Sequence, residues 1–102
     1  MGKWKRQPQE RPGDYFFYGR AFMTAGVNEA LTPIEIAWIT SDLRRGVLEH
    51  GGLDYLQVFK CDDGRTVWAI DQLSHSMKEN GSYTQEQIEE YDYWTLLLPE
   101  EY

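Results

Sequence analysis

The chain reads as an α+β domain in which one main helix packs on a small, mainly antiparallel sheet, in the order β-α-β-β-(short α)-β. Three observations predict this. Thr32-Pro33-Ile34-Glu35 opens a single long helical pattern. Two β-rich runs, residues 53–60 and 65–71, flank an Asp63-Gly64 turn. Aromatic and branched stretches at residues 15–23 and 93–98 supply further strands.

Residues 1–14 are proline- and glycine-containing and otherwise mostly charged or amide-bearing. They predict a flexible basic leader ahead of a single domain over residues 15–102. Trp4 is the exception within it, expected to dock back on the domain because large apolar side chains are rarely left in water. Residues 15–23 form the first predicted strand, with Gly19 as a bend, and residues 24–28 a connection. The helix is expected over residues 33–49. Thr32 is its cap, Pro33 its first position, and Ile36, Ile39, Leu43 and Val47 its buried stripe, which Trp38 widens. Gly51-Gly52 ends it, since glycine accepts the left-handed conformation cheaply. In the second strand of the hairpin Thr66, Trp68 and Ile70 share one face and Val67 and Ala69 the other. Both faces are apolar, which predicts a helix against one side and partial cover on the other. Residues 72–82 read as a polar, mobile segment turning at Asn80-Gly81, residues 85–90 as a short helix capped by Thr84 and Gln87, and residues 93–98 as a last strand stopped by Pro99.

At 102 residues, with 41% hydrophobic and 15% aromatic content, the chain can build one modest core and no more. Cys61 is the only cysteine, so no disulfide forms within the chain, and a cytoplasmic location is expected. No stretch has the length of a membrane span, so no membrane partner is expected. Charge is distributed unevenly. Residues 1–20 hold five cations against two carboxylates, whereas the remainder holds five cations against fifteen carboxylates. From Glu79 onward there are seven carboxylates and no cation. Such an acidic body suits a positively charged partner and disfavours direct contact with nucleic-acid phosphates.

Three stretches, Met23-Thr24-Ala25-Gly26-Val27-Asn28, Leu53-Asp54-Tyr55-Leu56-Gln57-Val58-Phe59 and Thr95-Leu96-Leu97-Leu98-Pro99-Glu100-Glu101-Tyr102, together resemble a family of short uncharacterised proteins of Gram-positive bacteria and their mobile elements, catalogued as domain of unknown function 960. The resemblance covers residues 20–102, apart from residues 72–91. It implies a small α+β domain associated with mobile genetic elements such as phages, and it supplies no catalytic residues.

Candidate chemistry is sparse. Cys61 with His50 or His75 could form a thiol–imidazole pair, but Asp62 and Asp63 beside the thiol disfavour its thiolate. Ser74-His75-Ser76 reads as loop polarity. One Cys and two distant His match no zinc spacing, and Asp62-Asp63-Gly64 lacks the alternating ligands of a calcium loop. No enzyme activity, metal or cofactor is expected. The expected site is instead an acidic partner-binding cluster, Glu86, Glu89, Glu90, Asp92, Glu100 and Glu101, interleaved with tyrosines and a tryptophan. The expected function is a non-enzymatic interaction protein that binds and blocks a basic, nucleic-acid-binding host protein, such as a CRISPR effector or other defence nuclease. The alternative is a soluble housekeeping or regulatory module acting through a homodimer or an apolar face. Either a monomer or a homodimer fits the sequence.

Overall fold

The computed structural model describes residues 3–102. Its elements are β1 (Trp4–Arg6), β2 (Arg20–Met23), α1 (Ala25–Ala30), α2 (Pro33–His50), β3 (Leu56–Cys61), β4 (Thr66–Asp71), α3 (His75–Glu79), α4 (Gln85–Tyr91) and β5 (Tyr93–Leu97), followed by a 3-10 turn over Pro99–Glu101. The predicted α+β class holds, with α2 as the main helix.

Helix α2 forms where its local signals place it. The Thr32 hydroxyl accepts from the Glu35 N–H at 3.2 Å, and the Glu35 carboxylate accepts from the Thr32 N–H at 3.0 Å. Two otherwise orphaned donors are satisfied at once. At the far end Gly51 takes φ 71° and donates to the Val47 carbonyl, a conformation that a Cβ would strain. Replacing Thr32 by alanine is expected to destabilise the domain by about 1 kcal/mol. Urea unfolding checks this, and an unchanged midpoint would show that the Glu35 half of the box suffices.

Five strands form one sheet in the order β1-β3-β4-β5-β2. The first three pairings are antiparallel and β2 runs parallel to β5. The hairpin closes as predicted: Cys61 N–H donates to the Arg65 carbonyl at 2.9 Å, and Gly64 adopts φ 99°. Alternation along β4 also holds, with Val67 and Ala69 buried and Thr66, Trp68 and Ile70 half-buried on the opposite face. Ile39, Leu43 and Val47 of α2 pack with Phe59, Val67, Ala69, Trp94 and Leu96 to make the core. The second face carries Leu56, Val58, Trp68 and Ile70 and is covered at one corner, where the Tyr102 ring meets Trp68 edge-on at 5.6 Å.

Several expectations change. Residues 1–2 of the expected leader lie outside the described residues, but residues 3–14 are built into the fold rather than loose. β1 pairs with β3, Trp4 is buried, and Gln7 N–H donates to the Val58 carbonyl at 2.8 Å. The partners that hold this segment lie far away in sequence, so composition could not reveal them. The first strand is shorter than expected. Only residues 20–23 pair with β5, because Phe17 turns the chain at φ 54° and Tyr15 makes an isolated bridge to Leu53 instead. Residues 24–28 are not a plain connection: the Thr24 hydroxyl accepts from the Val27 N–H and starts α1. Trp38 does not widen the stripe of α2, being 41% exposed about 100° round the helix from its neighbour Ile39. Residues 72–82 are not all polar loop, since Leu73 and Ser74 are buried and α3 follows with the Ser74 hydroxyl as its cap. The short helix near residue 85 forms as α4, with both halves of the Thr84–Gln87 capping box made. No helix among the described residues is long and apolar enough to cross a membrane.

Candidate partner-binding surface

The basic leader and the acidic body meet within the molecule first. Arg6 on β1 donates from Nε to Asp42 of α2 at 2.8 Å, and Arg45 pairs with the same carboxylate. Arg65 donates from both guanidinium arms to Glu35, at 3.1 and 2.7 Å, and also to Asp63 and the Ala30 carbonyl. Its guanidinium lies 5.2 Å from the Trp4 ring centroid, and Trp4 Nε1 donates to Glu35 at 2.7 Å. Glu35 is 2% exposed, and Arg65 holds its carboxyl down at about 2. Gln9 completes the anchoring, accepting from the Asp54 N–H and from the Gln57 side chain, each at 2.9 Å. Part of the charge asymmetry is therefore structural, with the leader's Arg6 acting as a counter-ion of the chain's own helix.

The six carboxylates expected to form one cluster fall into two groups. Glu86, Glu89 and Glu90 are exposed on α4, and Asp92 follows at its C-terminal end. Glu100 and Glu101 lie beyond β5, a strand of five residues, and so are separated from Asp92 by about 17 Å. Their surroundings differ as well. Asp92 pairs with Lys78 at 3.3 Å. Glu101 accepts from the Thr24 hydroxyl at 2.6 Å and the Leu98 N–H at 2.8 Å, and the Thr24 bond lowers its pKa. Glu86, Glu89, Glu90 and Glu100 have no ion-pair partner among the described residues. Arg20 donates to the backbone carbonyls of Glu89 and Glu90, at 2.9 and 2.8 Å, and not to their carboxylates.

The thiol and imidazoles do not converge. Cys61 is buried at the turn end of β3, whereas His75 begins α3 beyond the opposite end of β4, some six residues or about 20 Å along the strand. The His75 ring stacks on Phe16 at 4.9 Å, and His50 is exposed at the end of α2. No group of three or more His, Cys, Asp or Glu able to hold a metal ion occurs among the described residues.

A second surface escaped the sequence reading. A groove of about 500 Å³ crosses the end of the uncovered sheet face, floored by Ile70, Thr95 and Leu97 and bordered by Tyr15, Tyr55, Tyr93 and Tyr102. It adjoins another of about 530 Å³ under residues 10–14, and the two share Tyr15 and Tyr55. The Tyr15–Leu53 bridge, with reciprocal hydrogen bonds of 2.9 Å, brings those two rings to 6.2 Å. A sequence signal for this surface exists. All four tyrosines follow a carboxylate, in Asp14-Tyr15, Asp54-Tyr55, Asp92-Tyr93 and Glu101-Tyr102.

Comparison with known proteins finds no matching family model, curated protein or solved structure.

Proposed function

We propose that this chain is a non-enzymatic, cytoplasmic interaction protein that binds a basic protein surface and blocks it. A nucleic-acid-binding enzyme such as a CRISPR effector or another defence nuclease has the fitting chemistry, and the family resemblance favours a phage or mobile-element setting. One observation carries the reading. Arg6, Arg65 and Lys78 are paired within the fold, to Asp42, Glu35 and Asp92, while Glu86, Glu89 and Glu90 stand exposed on a single short helix with no ion-pair partner among the described residues. Carboxylates left free in this way can take up the arginines and lysines that otherwise hold phosphates.

The test is capture of basic proteins from a bacterial lysate at low and high salt, using the wild-type chain and a Glu86→Lys, Glu89→Lys, Glu90→Lys variant. A nucleic-acid-binding protein is expected on the wild-type chain at low salt, released by DNA or RNA, and lost from the variant. Retention that ignores both the reversal and the salt would sink the charge-docking idea. The apolar strand residues Leu56, Val58, Trp68 and Ile70 on the uncovered face support the alternative, a regulatory module that dimerises through this face. Light scattering behind size exclusion separates the readings: a salt-insensitive dimer favours the alternative.

A further inference from the structure

The two adjoining grooves form one trough with a consistent chemistry. Its walls hold the rings of Tyr15, Tyr55, Tyr93 and Tyr102, and its linings include the carboxyl-bearing residues Glu10, Asp14, Asp54 and Asp71 against a single cation, Arg11. Asp54 is 92% buried, as its 8% exposure implies, and lines the second groove. One of its oxygens accepts the Tyr55 N–H at 2.9 Å, and the other accepts no hydrogen bond from the described residues. Asp71 is 3% exposed, its side chain lies on the Val67 and Ala69 side of β4, and its Oδ1 has no partner among the described residues. The negative field reaches the rings: burial raises the Tyr15 pKa, and the charges of Asp14, Asp71 and Asp54 push it further in the same direction. Tyrosine faces attract cations through the ring quadrupole, and desolvation strengthens that attraction. Aliphatic stems of lysine or arginine suit the Ile70 and Leu97 floor while their charged heads reach carboxylates.

We infer that this trough is the seat for an extended, basic peptide segment of the partner, with its cationic side chains laid over Tyr15 and Tyr55 and their charges taken up by Asp54 and its neighbours. The inference rests on the proposed basic partner but assigns recognition to a surface distinct from α4. A single-stranded nucleic acid could stack on the same rings, but the carboxylates repel its phosphates, and the one lining cation cannot offset them.

The experiment uses hexa-arginine as the probe, with hexa-glutamate as control, titrated into the isotopically labelled full chain and followed by amide NMR shifts. Hexa-arginine is expected to move the amide signals of residues 10, 11, 13–15, 54–56 and 93 saturably, and hexa-glutamate to move none. Tyr55→Leu is expected to weaken binding about three- to ten-fold, while Tyr55→Phe, which keeps the ring face, binds as the wild type does. Tyr55 is 44% exposed and Tyr102 80% exposed, so leucine at either site tolerates folding, and Tyr102→Leu serves as the second variant. Shifts confined to α4, abolished by the Glu86, Glu89 and Glu90 reversals but not by the tyrosine variants, overturn the trough and leave the proposed function standing. Equal loss in Tyr55→Leu and Tyr55→Phe overturns the ring mechanism. Absence of any hexa-arginine shift overturns both, and self-association that buries these tyrosines without added peptide overturns the trough in favour of the dimer.

Discussion

An Arg65→Ala chain is expected to lose about 3–5 kcal/mol of stability, a large share of what a domain of this size holds in reserve. Arg65 gives Glu35 both of its guanidinium arms, and Glu35 is 2% exposed. Removing the cation leaves a carboxylate in the core with only the Trp4 indole and the Thr32 N–H as donors. Removal of both charges is the control. Arg65→Met with Glu35→Gln should recover most of the loss, because neither partner is then stranded. The pH dependence has a defined sign. In the wild type the Glu35 pKa is depressed from 4.5 to about 2, so its contribution is complete above pH 4.5 and is lost as pH falls through about 2. In Arg65→Ala burial dominates instead, so the deficit should shrink on acidification as Glu35 takes up a proton. Urea midpoints measured from pH 3 to pH 8 check both statements. A deficit under about 1 kcal/mol at pH 7 would mean that water replaces the guanidinium without cost.

Asp71→Asn is expected to stabilise the domain above neutrality. The Asp71 carboxylate accepts the Phe17 N–H at 2.9 Å, has one oxygen unpartnered, and is pushed by burial from 3.8 up to about 6. The Asp92 charge adds to the rise, while the Phe17 hydrogen bond and the Lys78 charge oppose it. A carboxyl with a raised folded-state pKa contributes fully below its unfolded pKa and loses that contribution as pH climbs through the folded value. The wild type should therefore lose on the order of 2–3 kcal/mol between about pH 4 and pH 7 from this residue alone. The asparagine variant should be level with it near pH 4 and ahead of it at pH 8. A stability difference that stays constant between those pH values would show that Asp71 does not titrate in this window.

What could be read in the sequence was local. Helix α2 announces itself through Thr32, Pro33, Glu35 and Gly51, all within reach of the backbone groups they satisfy. The hairpin likewise depends on neighbours, with Gly64 closing the turn between two pleated runs. Strand β1 could not be read this way. Trp4, Lys5 and Arg6 have no strand signature, and their partners, Glu35 and Asp42, lie 31 and 36 residues away. The early break of the first strand has the same origin, since Phe17 is held at a positive φ beside a carboxylate 54 residues distant. The acidic groups were legible as charge, but their division into two sets depends on where β5 runs. The tyrosine trough is more hidden still, because Tyr15 and Tyr55 become neighbours only through the Leu53 bridge.

The placement of β5 has a consequence for synthesis. Residues 93–97 enter the sheet between β4 and β2, so one of the earliest strands in chain order waits for one of the last. On a ribosome, β3 and β4 can pair as soon as their hairpin emerges, whereas β2 has no neighbour until some 70 further residues have been made. During that interval the backbone groups of β2 that later pair with β5 are open to other chains, beside Phe22 and Met23, which stay half exposed in the finished fold. Assembly of this sheet is thus paced by its C-terminal segment, and a nascent chain stalled before Tyr93 carries a ready strand with nothing to pair.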